Sequence, residues 1–476
     1  KMQKQYMYWK DICEKAAKLG EQRSIDYTVG YNTIELTREL TYNLLYEAGK
    51  AYHTSINDLL LSALGRAVSL WKHTEYACIE LEGHGREELS SNIIIDRTIG
   101  WFTVMYPVIV ENQDTLREQI IETKEMLHRI PQNGIGYGVL KYSKDSSFDA
   151  FVPTICFNYL GQLDSEVKEE GIFSWSEYST GDSISKKNAE HSDLVMNGGV
   201  SSEILTFGLT YNTEKYDSSM IEDFMKLFKN ALTEIVEHCV TRKTSTLTAS
   251  DVSAKELTTK EFDLLCSLLT ESEPEYVLSL TPMQKGMLYH KLLNETSTEY
   301  IIQNVFEIQG RLNEEVLYQS IQLLACKYQV LRTVFLYKEI AEPKQVVLKE
   351  RKLEVNFINM MHLSKEEQRK ELLRLKEKDV KRGFHLEKDS LLRVTVVTTH
   401  QHMSMILMTN HHIIMDGWCN SILFGDLMKY YDALLQGVSY DTLVDQVIPE
   451  EQKKVTKYSD YIQWLEGKDE KESIGY

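Results

Sequence analysis

Residues 410–427 read NHHIIMDGWCNSILFGDL and follow MSMILMT, an apolar run with the character of a buried strand. They place two adjacent histidines, His411 and His412, four residues ahead of an aspartate, Asp416, and its neighbour Gly417. An imidazole takes or gives a proton near neutral pH, because its unperturbed pKa is about 6.5. At the C-terminal end of a buried strand such a ring can project into a cleft while the strand fixes its position. An aspartate beside a glycine can turn back onto an arginine or onto backbone N–H groups and lock the turn instead of doing chemistry. Two readings therefore fit the motif alone: one histidine is a reacting base, or both are satisfied residues of a strand-to-helix turn.

The elements that must position these groups are legible on both sides. In SINDLLLSALGRAVSLWKH, Ile56, Leu59, Leu60, Ala63, Leu64, Ala67 and Leu70 follow helical spacing, with Ser55 and Asp58 as a capping pair. ACIELEG and WFTVMYPVIV read as strands, a helix is expected near 114–130, and TICFNYLG and EILTFGLTYN read as further strands. Residues 218–238 form a second amphipathic helix with Ile221, Met225, Phe228, Leu232 and Ile235 on one face. Residues 241–275 are polar and rich in Ser and Thr, which predicts a linker, partly helical and lying on a surface. Beyond it come the strand YIIQNVFEIQG, the helix NEEVLYQSIQLLACKYQV and the strands RTVFLY and KQVVLK. A helix around 365–380, the strands LLRVTVVTT and MSMILMT, and a helix after Trp418 complete the pattern. Helices and strands alternate on both sides of the linker, so two α/β domains of similar size are expected.

Bulk properties narrow the function classes. With 71 acidic against 53 basic residues the formal charge is −18, which argues against nucleic acid or an anionic membrane as the main partner. The seven cysteines are scattered without metal-ligand spacing, so a reduced, cytoplasmic protein without a disulfide framework or metal site is expected. No apolar run reaches the length of about eighteen residues that spans a bilayer, and KMQKQYMYWK is not a signal peptide. Both ends of the chain read as cut.

The segments around HHxxxDG resemble the condensation domain of non-ribosomal peptide synthetases. LSLTPMQKGMLYH (278–290), KYQVLRTVF (327–335) with EPKQVV (342–347), GFHLEKDSLLRV (383–394) and YSDYIQWL (458–465) stand in the family's order with the histidine motif. The resemblance implies that His412 lies at the reaction centre, where it positions or deprotonates an acceptor amine attacking a donor thioester. It implies a supporting role for His411, a structural Asp416 paired with an arginine for which Arg332 is the candidate, and a tight turn at Gly417. Trp418 is expected to pack the following helix beside the substrate tunnel. Cys419 is expected to pack and not to act as a nucleophile.

The first half has a different signature. LEGHGREE (81–88), DRTIGWFTVMYPV (96–108), GIGYGVLKY (134–142) and FNYLGQLD (157–164) resemble the C-terminal lobe of an epimerization domain, a relative that inverts the α-carbon of a carrier-bound thioester. Inversion calls for two acid/base groups across that carbon. By resemblance one is Glu82, with Asn158 and Tyr159 lining the same tunnel; the plain alternative is a strand-end carboxylate bonded to His84 or Arg86. The partner histidine of such a site is missing before Glu82.

The resemblance thus implies residues 1–240 as an epimerization-domain C-terminal lobe, 241–275 as a linker and 276–476 as a condensation-domain N-terminal lobe. YMYWKDI near the start and ESIGY at the finish fit one family position, so the chain is expected to run between two inter-lobe junctions. Each lobe would have the chloramphenicol acetyltransferase-like α/β sandwich fold, with apolar inter-lobe surfaces either exposed or paired in a permuted arrangement. No cofactor is expected on the chain itself. Phosphopantetheine would arrive on upstream and downstream peptidyl carrier domains, with adenylation domains of the same synthetase as further partners. The parent would epimerise a carrier-bound residue and join the D-configured donor to the next L-aminoacyl acceptor, the isolated chain being inactive. The alternatives are a free coenzyme A-dependent acyltransferase and a non-catalytic docking or recruitment module of the same fold.

Overall fold

The chain divides into two units, Lys1–Asp251 and Val252–Tyr476, in the computed structural model, which describes residues 2–19, 27–87, 94–95, 97–142, 148, 152–162, 178, 181, 192–294, 296–310 and 312–466. The ESIGY end, together with Glu88, Asp96 and residues 163–164 of the segments quoted above, lies outside the described residues. Both units are mixed α/β, the class expected from the sequence.

In the first unit the longer elements are α1 (Met2–Ala17), β1 (Val29–Glu35), α2 (Ile56–Lys72), β2 (Tyr76–Gly83), β3 (Val104–Glu111), α3 (Leu116–His128), α4 (Ile135–Lys141), β4 (Ile155–Gln162), β5 (Leu194–Ser201), β6 (Ile204–Asn212) and α5 (Ser218–Val240). The strands form one sheet in the order β1-β6-β5-β4-β2-β3, parallel at β2/β4 and β4/β5 and antiparallel elsewhere. Alternation along each strand separates two faces. Ile79, Phe157, Met196, Phe207 and Leu209 enter the core, where Phe207 meets Phe228 of α5 edge-on at 5.1 Å. Glu82, Asn197 and Tyr31 stand on exposed positions of their strands.

The helix caps explain where the periodic segments begin. Ser55 and Asp58 form the expected capping box, with bonds of 2.7 and 3.3 Å. Leu70 is 46 % exposed and not part of the buried face, because Leu61 and Val68 fill the core instead. Gly65 lets α2 approach the sheet: a Cβ there would fall 2.2 Å from Val110 Cγ1. Of the polar stretch 241–275, residues up to Asp251 pack in the first unit, where Asp251 pairs with the buried Lys124 at 2.6 Å.

The second unit contains α6 (Thr259–Leu268), β7 (Pro274–Ser279), α7 (Pro282–Leu293), β8 (Ile301–Gln309), α8 (Glu314–Lys327), β9 (Thr333–Leu336), β10 (Lys344–Leu348), β11 (Glu354–Asn359), α9 (Lys365–Arg382), β12 (Leu392–His400), β13 (Met403–His411), α10 (Cys419–Leu435) and α11 (Tyr458–Glu466). Its strands form two sheets, β7-β10-β9 and β11-β12-β13-β8. MSMILMT is the interior strand β13, whose Ile406, Leu407 and Met408 are buried. Arg393 of β12 pairs with Asp379 at 2.9 Å, donates to the Gly383 carbonyl and lies 3.9 Å over the Phe384 ring. That guanidinium ties the end of α9 to the sheet and accounts for the GFHLEKDSLLRV segment. Among the described residues no helix is long and apolar enough to cross a membrane.

Candidate functional site

Strand β13 ends at His411, and the polypeptide turns through residues 412–418 into α10. His411 is 2 % exposed. Its backbone N–H donates to Leu391 O at 3.0 Å, and its Nδ1 accepts the Ile413 N–H at 3.1 Å. The accepting Nδ1 is therefore unprotonated. Burial, reinforced by the positive charge of Lys291 and by that of His412 when it is protonated, lowers the His411 pKa to about 4. At neutral pH it is an uncharged prop for the turn.

His412 is half-buried and has the opposite arrangement. Its backbone N–H donates to Tyr300 O at 2.7 Å, and its Nδ1 lies 2.8 Å from the Met415 carbonyl oxygen. A carbonyl only accepts, so in the neutral ring Nδ1 carries the proton and Nε2 keeps its lone pair. Among the described residues no hydrogen bond is formed by Nε2. The ring is thus fixed by one nitrogen with its basic nitrogen unspent.

The LSLTPMQKGMLYH segment builds the support. Thr281 caps α7 and Gln284 closes the capping box, a pairing with bonds of 3.2 and 2.9 Å. Gln284 Nε2 reaches past its own helix to donate to the Ile413 carbonyl at 3.1 Å, while Gln345 Nε2 of β10 donates to Gln284 Oε1 at 3.1 Å. The turn carrying His412 is therefore held from β13, α7 and β10. Sequence alone does not single out Gln284 or Gln345, although both lie inside the quoted motif segments.

Three expectations at this site need correction. Arg332 does not pair with Asp416. Its Nη1 binds Glu275 at 2.6 Å and the carbonyls of Leu348 and Lys349, and its Nε donates to Ala325 O at 2.8 Å. Asp416 instead accepts the N–H groups of Trp418 at 3.0 Å and Cys419 at 3.3 Å, placing its charge at the N-terminus of α10. Gly417 has no left-handed backbone, and a Cβ there would meet nothing within 4 Å, so the turn does not need a glycine. Trp418 is 82 % exposed and does not pack, whereas Ile413, Ile414 and Met415 of the same turn are buried in the core. Cys419 packs as expected, its thiol pKa raised by burial. A cavity of about 1580 Å³ in the same unit is lined by Lys327, Arg332, Asp426 and Tyr458 among others, but not by His412.

In the first unit Glu82 sits near the end of β2 with an exposed side chain and accepts a hydrogen bond from Asn158 Nδ2 of β4 at 2.9 Å. The bond to His84 or Arg86 is not formed. His84 accepts the Arg86 N–H and pairs with Glu87, and Arg86 donates to the carbonyls of Ile95 and Thr98 while lying over Phe102. The structure therefore brings Glu82 and Asn158 together. Tyr159, one residue on, points to the other face and packs against the core, since neighbours on a strand alternate. Its phenol pKa is raised by burial and by Tyr46. Among the described residues no cluster of His, Cys, Asp and Glu is placed to hold a metal ion.

The Condensation domain profile matches residues 1–258 and 275–475. A mycosubtilin synthase polypeptide of Bacillus subtilis is 34 % identical over 449 residues, covering 93 % of this chain and 17 % of that protein. Bacitracin synthase 1 of Bacillus licheniformis is 33 % identical over 448 residues, covering 93 % of this chain and 8 % of its own length. The chain thus spans less than a fifth of either relative. A crystal structure of the epimerization domain from the third module of tyrocidine synthetase B is 33 % identical over 49 % of this chain and 57 % of its own, with a TM-score of 0.43.

Proposed function

The chain belongs to the Condensation domain family, and from that premise we propose that it is part of a cytoplasmic modular peptide synthetase that epimerises one carrier-bound thioester and condenses the product with the next aminoacyl acceptor. The observation that carries the condensation half is the His412 ring, fixed through Nδ1 on the Met415 carbonyl with Nε2 left basic. The acceptor amine attacks the donor thioester carbon. An N–C bond forms, the C–S bond breaks, and the sulfur leaves as the thiol of the donor arm. The amine must shed a proton in that step, and on this reading Nε2 accepts it or orients the amine by a hydrogen bond. His411 holds the turn, Gln284 anchors it, and Asp416 starts the following helix. The open space over Gly417 leaves its backbone approachable.

The epimerization half rests on Glu82, whose carboxylate is oriented by Asn158. One base removes the α-proton, and an acid on the opposite side returns one. The thioesters ride on phosphopantetheine arms of upstream and downstream peptidyl carrier domains, charged by adenylation domains.

The test uses the complete synthetase with aminoacyl and peptidyl carrier substrates. His412→Ala, folded as judged by circular dichroism, is expected to lose amide formation by about a hundredfold or more. Glu82→Gln is expected to lose α-proton exchange separately. Amide formation unchanged in His412→Ala would overturn the condensation reading. Turnover of free acyl-coenzyme A without any carrier would favour a free acyltransferase instead.

A further inference from the structure

We propose that Asn197 and Tyr31 extend the Glu82–Asn158 pair into a binding row for a peptide bond, so that the thioester presented to Glu82 is peptidyl or N-acylated and not a bare aminoacyl group. This rests on the reading of Glu82 as the α-proton base.

The row follows from the sheet register. β4 lies between β2 and β5, and Asn158 aligns with Asn197 of β5. Aligned residues on neighbouring strands share a face and stand about 5 Å apart. A carboxamide has its donor on one edge and its acceptor on the other. Asn158 commits Nδ2 to Glu82, on the β2 side, so its Oδ1 faces β5 and Asn197. Asn197 has an exposed side chain, and among the described residues no hydrogen bond joins the two carboxamides.

The next position in the row is Gly208 of β6, aligned with Asn197. A Cβ on Gly208 would lie 2.4 Å from the Tyr31 hydroxyl oxygen and 3.0 Å from its Cζ. The missing side chain is what lets the Tyr31 ring lie across β6 with its hydroxyl over Gly208, the residue aligned with Asn197. Tyr31 is 67 % exposed, so that hydroxyl is open to a ligand.

Across the strands, the face offers a carboxylate, an acceptor, a carboxamide and a hydroxyl. A peptide bond complements the middle of that series. Its N–H suits Asn158 Oδ1, and its carbonyl suits Asn197 Nδ2 and the Tyr31 O–H, while the Cα next to the N–H faces Glu82. A bare aminoacyl thioester has no amide carbonyl at that distance and leaves both donors without an acceptor. Sites built to hydrogen-bond a group discriminate strongly against analogues that lack it. Proton exchange at Cα breaks one C–H bond and forms another without net oxidation, so the row contributes binding and orientation only. Asn197 and Tyr31 are positioning residues.

The experiment measures α-proton exchange with solvent deuterium in the complete synthetase, comparing peptidyl with aminoacyl thioesters. Asn197→Ala is expected to raise KM for the peptidyl substrate about tenfold with kcat nearly unchanged and no effect on the aminoacyl substrate. Tyr31→Phe is expected to show a smaller shift of the same kind, and Asn197→Gln a partial recovery. In a Glu82→Gln background, a non-hydrolysable N-acetylaminoacyl pantetheine amide should bind more tightly than its deacetylated form, and Asn197→Ala should abolish that difference. Equal binding of the two ligands, or equal losses on both substrates in Asn197→Ala, would overturn the inference. Exchange that persists in Glu82→Gln would instead overturn the reading of Glu82, whatever Asn197 does.

Discussion

Acidification should weaken the second unit through one side chain, His411. The ring is 2 % exposed and its pKa is about 4, against about 6.5 for an unperturbed histidine. Between those values the unfolded chain binds a proton that the folded one refuses. The contribution of His411 is therefore intact above about pH 6.5, falls as the pH drops towards 4, and is lost below. A gap of about 2.5 units at 1.36 kcal/mol each amounts to about 3 kcal/mol. His411→Asn isolates this contribution, because Asn Oδ1 can take the place of Nδ1 and accept the Ile413 N–H without titrating. Unfolding free energies from urea at about pH 7 and about pH 4.5, followed through NMR signals of β12 and β13, should differ by about 2.4 kcal/mol less in His411→Asn than in the parent. The same pH dependence in both proteins would refute the reasoning, as would an NMR titration placing His411 near 6.5.

Further outcomes follow from the contacts of the site. A double-mutant cycle between Arg332 and Asp416 should give a coupling within about 0.5 kcal/mol of zero, whereas Arg332 with Glu275 should couple by about 1 kcal/mol or more in chemical denaturation. Gly65→Ala should destabilise the first unit by about 1–3 kcal/mol, since its Cβ would overlap Val110. Gly417→Ala should leave stability within about 0.5 kcal/mol of the parent, because nothing lies near that position. A fall in amide formation in that variant would then report substrate approach.

How far the sequence reaches depends on what kind of information each feature needs. The helix after Ser55 and the 218–238 helix are legible because spacing and capping are local, and the structure caps and buries them accordingly. Strand β5 is not, because its LVMNGGVS carries two adjacent glycines that interrupt the alternation of a half-buried strand. Asn197 lies in that strand, so the residue aligned with Asn158 stays hidden with it. Helix α7 escapes periodicity because Met283, Tyr289, Leu292 and Leu293 are exposed, and its apolar residues do not gather into one stripe. The Arg332–Asp416 pairing fails for another reason. Opposite charges in one motif set say nothing about distance, and Glu275 and three carbonyls compete successfully for the same guanidinium.

The adjacent histidines, legible as a pair but not as individuals, separate once their hydrogen bonds are known. One Nδ1 faces a backbone donor, Ile413 N–H, and the other faces a backbone acceptor, Met415 O. The neutral rings are therefore opposite tautomers, and only the second can present a basic Nε2 away from the turn. Asparagine tests the distinction at both positions. At 411 its Oδ1 meets the Ile413 N–H and replaces the hydrogen bond that the imidazole accepts. At 412 the carboxamide must turn its Nδ2 towards Met415 O; the turn survives, but no basic nitrogen remains. His411→Asn should keep amide formation within about threefold of the parent, while His412→Asn should lose it with folding intact. Equal losses in the two variants would mean that the rings act together, and the assignment of one as prop and the other as reacting group would fall.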